Sequence, residues 1–238
     1  MNQKYCLTVL LLLLTFQLVA KEVKVFNCGV PGNNTKEICA RVESEVLSKE
    51  PDLVLLMGGS NDFLNSNKFT SFEEAYKNME AIVDQLLEKK IDVILITPPT
   101  VDVTYLYSRH DVSKFIIDPV DKLQLWSKLM KKLAIEKNII IVDFHNYLEN
   151  RGIPIHNQDD IIVNEKNMGI KDGLHLTQKG YKLLADFIYM HIPHAYKTKN
   201  AVKIVCLGDS LTCGVFMEGA GTAVGDTYPS YLRQLFEK

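Results

Sequence analysis

A serine ends an apolar run in the segment Val202-Lys203-Ile204-Val205-Cys206-Leu207-Gly208-Asp209-Ser210-Leu211. The run reads as a strand and Gly208-Asp209 as a tight turn, which leaves Ser210 at the strand's C-terminal end. Parallel α/β sheets gather their reactive groups at that end. A serine hydroxyl is a weak nucleophile until a neighbouring imidazole takes its proton. His175 is the candidate base, and Asp172 the group that holds its tautomer and stabilises the imidazolium. Three positions separate them in Asp172-Gly173-Leu174-His175, so a single turn can deliver both. Attack on an acyl carbon also requires fixed donors for the developing oxyanion. Candidates are the backbone N–H groups of Ser210 and Gly32 and the side-chain amide of Asn61. The last two come from Gly29-Val30-Pro31-Gly32-Asn33 and Gly59-Ser60-Asn61-Asp62.

Each of these segments alone has an ordinary structural use. Ser210 can cap a helix, Asp172-Gly173 can form a turn, and Gly32 and Asn61 can be turn residues. Their conjunction carries the reading, because Gly32, Asn61 and Ser210 each follow an expected strand and His175 precedes an expected helix. The four segments resemble the blocks of the SGNH hydrolases, also called GDSL esterases and lipases. In that family the serine block comes first, whereas here it comes last with the cyclic order kept. The chain therefore resembles a circularly permuted member.

Coarse periodicity places strands at 23–26, 53–57, 91–96, 139–142 and 202–207. Helices are expected from Asn34, from Phe72 behind the capping box Ser71-Phe72-Glu73-Glu74, and over 120–137, 178–192 and 228–236. Five short apolar strands interleaved with helices argue for an α/β domain with a parallel sheet covered on both faces. The resemblance implies a three-layer α/β/α, flavodoxin-like sheet of order 2-1-3-4-5, with 202–207 as its first strand. In an unpermuted relative the helix at 228–236 would lead into the strand at 23–26, and 194–200 would be the polar linker between old termini.

At 238 residues and 47% apolar, the chain can bury one core. Its 27 basic and 29 acidic side chains are nearly balanced and form no long basic run, which argues against nucleic acid as a partner. Residues 1–20 carry Lys4, an apolar run at 9–14 and Leu18-Val19-Ala20. That pattern predicts a cleaved secretory signal, with an uncleaved anchor as the alternative. The expected protein is secreted or periplasmic, a monomer at 21–238 with no stable membrane insertion. Of the four remaining cysteines, Cys28 and Cys206 fall on or beside core strands. Buried thiols are favoured over disulfides for Cys28, Cys39, Cys206 and Cys213. No cofactor is expected, and no spacing suggests a metal.

Among other histidines, His145 beside Asp143 is the one rival base; His110, His156, His191 and His194 read as solvated or packing residues. Loops at 100–119 and 151–171 are expected to border the cleft, with Tyr105, Leu106 and Tyr107 lining an acyl pocket or packing over the domain edge. The sequon Asn33-Asn34-Thr35 abuts the candidate oxyanion glycine, where a glycan would obstruct substrate. The resemblance implies a small-molecule acyl ester, lipid or acylated carbohydrate, as substrate, and the Ser210 block is similar to the lysophospholipase branch, so a lysophospholipase-like serine esterase is expected. The alternatives are a carbohydrate O-acetylesterase, acyl transfer to a sugar, a binding protein on an esterase scaffold, and a unit of a tandem protein inactive alone.

Overall fold

Strand β5 (Ala201–Gly208), the last in the chain, lies inside the sheet rather than at its edge. The structure is a computed structural model describing residues 21–238; the expected signal segment lies outside the described residues. The other strands are β1 (Glu22–Gly29), β2 (Leu53–Met57), β3 (Asp92–Ile96) and β4 (Ile140–Val142). All pair in parallel in the order β1-β5-β2-β3-β4. Ladders Val23↔Val202 and Leu53↔Ile204 seat β5 between β1 and β2. Counting β5 as the first strand gives the expected 2-1-3-4-5 order. β1 is longer than expected because its pairing continues to Gly29↔Gly208.

The connections carry helices α1 (Thr35–Ala40), α2 (Val42–Glu45), α3 (Ser60–Leu64), α4 (Phe72–Glu88), α5 (Val103–Arg109) and α6 (Pro119–Glu136). They continue with α7 (Phe144–Glu149), α8 (Glu165–Met168), α9 (Gln178–His191), α10 (His194–Thr198), α11 (Ser210–Cys213) and α12 (Tyr228–Phe236). The pleat sends alternate strand residues to opposite faces. Leu53, Leu55 and Met57 of β2 pack in a core with α7, α9 and α12, whereas Val54 and Leu56 pack with α1, α2, α4 and α6. A strand covered on both faces has no polar position to spare, which is why β2 reads as an unbroken apolar run.

Local chemistry fixes the helix starts. Asn34 and Glu37 form the full capping box, with Glu37 N donating to Asn34 Oδ1 at 3.1 Å and Asn34 N to Glu37 Oε2 at 2.9 Å. Only the Ser71 half of the second expected box forms. Thr177 caps α9, and Asp118 caps α6 with Pro119 in its first turn.

Two expectations are corrected. The polar linker at 194–200 contains α10, whose Tyr196 is buried and donates its hydroxyl to Asp92. The loop at 100–119 contains α5, capped by Asp102, whose carboxylate accepts from Thr104 N at 3.0 Å. The four cysteines among the described residues are free thiols. Cys206 faces one core and Cys28 the other, so the sheet itself separates them.

Candidate active site

The site is assembled at the C-terminal ends of β1, β2 and β5. β5 ends at Gly208, where a Cβ would stand 2.5 Å from Met57 O and 2.2 Å from Thr212 Oγ1; only glycine fits this crossing. Asp209 then caps α11 by accepting from Leu211 N at 2.9 Å, and Ser210 is the helix's first residue. Ser210 Oγ lies 2.9 Å from His175 Nε2. On the far side of the ring, His175 Nδ1 lies 2.9 and 3.0 Å from the two carboxylate oxygens of Asp172.

Asp172 is 1% exposed and its charge is well used. Oδ1 also accepts from Leu174 N at 2.9 Å and His175 N at 2.6 Å, so the carboxylate shapes the turn that presents its own partner. Burial pushes the carboxyl up, but the hydrogen bond and charge of His175, then the charge of Arg109, outweigh it and bring the pKa down to about 2. Asp172 is thus ionised throughout the range in which an imidazole titrates.

Asn61 sits on α3, entered through Gly58-Gly59, and its amide donates to Asn33 O at 3.0 Å and to Asp209 Oδ2 at 3.4 Å. Gly32 adopts φ +80 and its carbonyl accepts from Lys68 Nζ at 2.8 Å. Gly32, Asn61, His175 and Ser210 line one pocket of about 250 Å³, together with Pro31, Ser60, Leu64, Asn65, Arg109, His110, Leu174 and Val215.

Two networks, one half-buried around Arg41 and one buried around Asp62, hold the Gly32–Asn61 side. Arg41 donates to Cys28 O at 2.8 Å, Gly208 O at 2.6 Å and Asn33 Oδ1 at 2.8 Å, joining the ends of β1 and β5 to the turn at Gly32. Asp62 accepts from Thr35 N at 2.9 Å and Thr35 Oγ1 at 2.7 Å, tying α3 to the start of α1. The Asn33 side chain of the sequon is thereby committed inward, to Arg41.

Several other sequence expectations change. Tyr105, Leu106 and Tyr107 do not line the pocket. Leu106 is buried against Leu64, Leu123 and Leu174, Tyr105 packs on His156, and Tyr107 packs edge-on against Phe115. Their apolar character serves α5 packing, and only the end of that helix, Arg109 with His110, reaches the cleft. The loop at 151–171 contributes nothing to this pocket. Its Gly152, Ile153, Pro154 and His156 border a separate depression with Asp102. His156 does have an acidic partner, Asp102 Oδ2 at 2.7 Å, from a distant part of the chain. His110 is a pocket residue, its pKa pushed down by burial and by Arg109. His145 is buried in a different place, beside Gln124, Ser127 and Glu149, away from Ser210.

Phe216 was not anticipated. Its ring meets His175 edge-on at 5.2 Å between centroids, and its backbone sits at φ +73. A bulky residue in the left-handed region is strained and persists only where its surroundings impose it. No local sequence pattern signals either this contact or that of Arg109.

The protein is similar to known esterases in sequence and structure. It is 25% identical over 122 residues to the acetylxylan esterase of Geobacillus stearothermophilus, a match covering 51% of this chain and 54% of that protein. The chain thus spans about half the length of this curated relative. A lipase/acylhydrolase from Enterococcus faecalis superposes with a TM-score of 0.53 at 26% identity, covering 67% of this chain and 70% of that one. The acetyl xylan esterase AlAXEase shares the fold, with a TM-score of 0.55 at 23% identity over 70% of this chain and 79% of its own. The GDSL-like Lipase/Acylhydrolase family model matches residues 13–183, a span that holds Gly32, Asn61, Asp172 and His175 and stops short of Ser210. The chain belongs to the GDSL-like lipase/acylhydrolase family.

Proposed function

We propose that this protein hydrolyses carboxylic esters through an acyl-serine intermediate. The observation that carries the reading is the continuous chain Ser210 Oγ–His175 Nε2–Nδ1–Asp172, with 2.9 Å at its first link and 2.9 Å at its last. His175 Nε2 takes the Ser210 proton as Oγ attacks the acyl carbon, and Asp172 stabilises the imidazolium that results. The carbonyl oxygen becomes an oxyanion, received by the N–H groups of Ser210 and Gly32 and by the Asn61 amide. The long 3.4 Å contact from Asn61 to Asp209 is the one such an oxyanion would replace. Collapse expels the alcohol, which leaves with the proton from His175. Water then attacks the acyl carbon as His175 takes its proton, and collapse releases the acid while Ser210 Oγ regains that proton from the imidazolium.

A pocket of about 250 Å³ falls below the roughly 300–1,000 Å³ that drug-sized ligands fill. It therefore favours short acyl groups over the long chain of a lysophospholipid. The esters of O-acetylated carbohydrates are a second reading, supported by the two relatives named acetylxylan esterases.

The permuted order belongs to the same proposal. Its support is that Lys21, just before β1, lies over the ring of Phe236 at the end of α12, 5.1 Å from its centroid. A helix-to-strand junction could close there without rearranging the sheet. Residues 1–20 are proposed as an export signal, so that the mature enzyme acts outside the cytoplasm as a monomer.

The test is hydrolysis of p-nitrophenyl acetate, butyrate and longer esters by wild type and Ser210→Ala. Loss of turnover with a rate that falls as the acyl chain lengthens is expected. Unchanged activity in Ser210→Ala removes the mechanism.

A further inference from the structure

We propose that Arg109 is a positioning residue of the catalytic centre, acting through Asp172 to set the pH range over which His175 works as a base. The inference rests on the reading of Ser210, His175 and Asp172 given above. Arg109 ends α5 and grips Asp172 at two atoms: Nη2 donates to Asp172 O at 2.6 Å, and Nη1 lies 3.2 Å from Asp172 Oδ2. That Oδ2 is the same atom that stands 2.9 Å from His175 Nδ1. The carboxylate is thus shared between a permanent cation and the imidazole.

The other end of α5 holds the same loop. Asp102 N donates to Gly173 O at 2.8 Å, and a Cβ on Gly173 would stand 2.7 Å from Asp102 O and 2.9 Å from Tyr105 Cβ. Gly173 has φ +79, so glycine is required twice over, by conformation and by close approach. Helix α5 is therefore a two-point brace, gripping the catalytic turn at Gly173 from its start and at Asp172 from its end. This accounts for the apolar Tyr105 and Leu106, which seat the brace.

The electrostatic consequence has a definite sign. A cation beside Asp172 offsets part of the negative charge that would otherwise favour His175 in its protonated form. Removing it lets the imidazolium form more readily, so a neutral base requires a higher pH. Other groups near this pair are Asp209, whose buried carboxyl is pushed up to about 6, Tyr181 of α9, His110 next to Arg109, and Asp62 beside Asp209. They are common to wild type and variant, so the difference between the two isolates Arg109.

The experiment measures kcat/KM against pH, with p-nitrophenyl acetate, for wild type, Arg109→Gln and Arg109→Lys, each checked for folding by thermal melting. Arg109→Gln should move the acid limb to higher pH. It should lower kcat more than it raises KM. Arg109→Lys should return the limb towards wild type while restoring turnover only in part, because an ammonium lacks the two-pronged geometry. Folded Arg109→Gln with an unmoved acid limb overturns the proposal, as does a limb that moves equally in Arg109→Lys. Should Arg109→Gln fail to fold, the position of the acid limb in Arg109→Lys decides in its place. An active Ser210→Ala enzyme would instead remove the underlying reading, so the two failures are distinct.

Discussion

Two buried histidines, each preceded at short range by an aspartate, occupy the end of the sheet where strands finish, and only one stands between a hydroxyl and a carboxylate. His175 has a partner on each ring nitrogen, Ser210 on one side and Asp172 on the other. His145 has none within hydrogen-bonding geometry; its nearest carboxylate oxygen, Glu149 Oε1, lies 3.4 Å from Nε2. Asp143, two positions earlier, is spent elsewhere: it meets Lys131 at 2.5 Å and Ser127 at 3.1 Å and caps α7. Proximity in sequence between an acid and an imidazole therefore says little. What matters is which atoms the turn leaves free.

The sharpest way to break this contrast is to remove each ring. His175→Ala should lower kcat by about 10⁴-fold, the scale at which a triad member is lost, while His145→Leu should leave kcat within about twofold, since a buried residue away from the chemistry acts on stability. Initial rates on p-nitrophenyl acetate, with folding checked by circular dichroism, decide it. Comparable losses in both variants would mean the base has been misassigned. Next in size is the oxyanion side. Asn61→Ala should cost about 10²–10³ in kcat with KM little changed, the range seen when one such donor is deleted. A loss confined to KM would place Asn61 in ground-state binding instead.

Stability against pH sharpens the comparison from a different direction. The folded pKa of Asp172, about 2, is below its ordinary 3.8. Its contribution is therefore complete above 3.8 and is lost as pH falls through 2. The difference is on the order of 2 kcal/mol. Denaturant titrations from pH 5 to pH 2 should show wild type losing stability relative to Asp172→Asn over that window; parallel curves would contradict the assignment. His145 gives the smallest effect and the opposite chemistry. Burial lowers its pKa from 6.5, so the unfolded chain binds the proton more readily and stability falls as pH drops below that value. His145→Leu should flatten this slope without touching activity, read from melting temperatures between pH 7 and pH 5.

The sequence made one half of the site legible and hid the other. Ser210, Asp172 and His175 could be read because a strand end, a turn and a three-residue spacing are local facts. The parallel α/β class followed from five apolar runs separated by helical periods, the strand order from the family resemblance, and the capping chemistry of Asn34 and Ser71 placed two helix starts. Arg109 and Arg41 were invisible because their partners lie 63 and 167 positions away, at Asp172 and Gly208. Tyr105 to Tyr107 stayed open between pocket lining and packing for a related reason, and the structure takes the packing alternative. An apolar triplet after Pro98-Pro99 looks like an exposed lining when the short helix that buries it, started by Asp102, is not recognised.

The placement of β5 between β1 and β2 has a consequence for the nascent polypeptide. Until residues 201–208 emerge, a five-stranded sheet is a pair of fragments with a slot between them, and both flanks of that slot present unpaired backbone to any passing strand. Ser210 and the strand that fills the slot arrive in the same stretch of chain. Under the proposed mechanism, a translation product that stops short of this stretch lacks its nucleophile while its open strand edges stay adhesive.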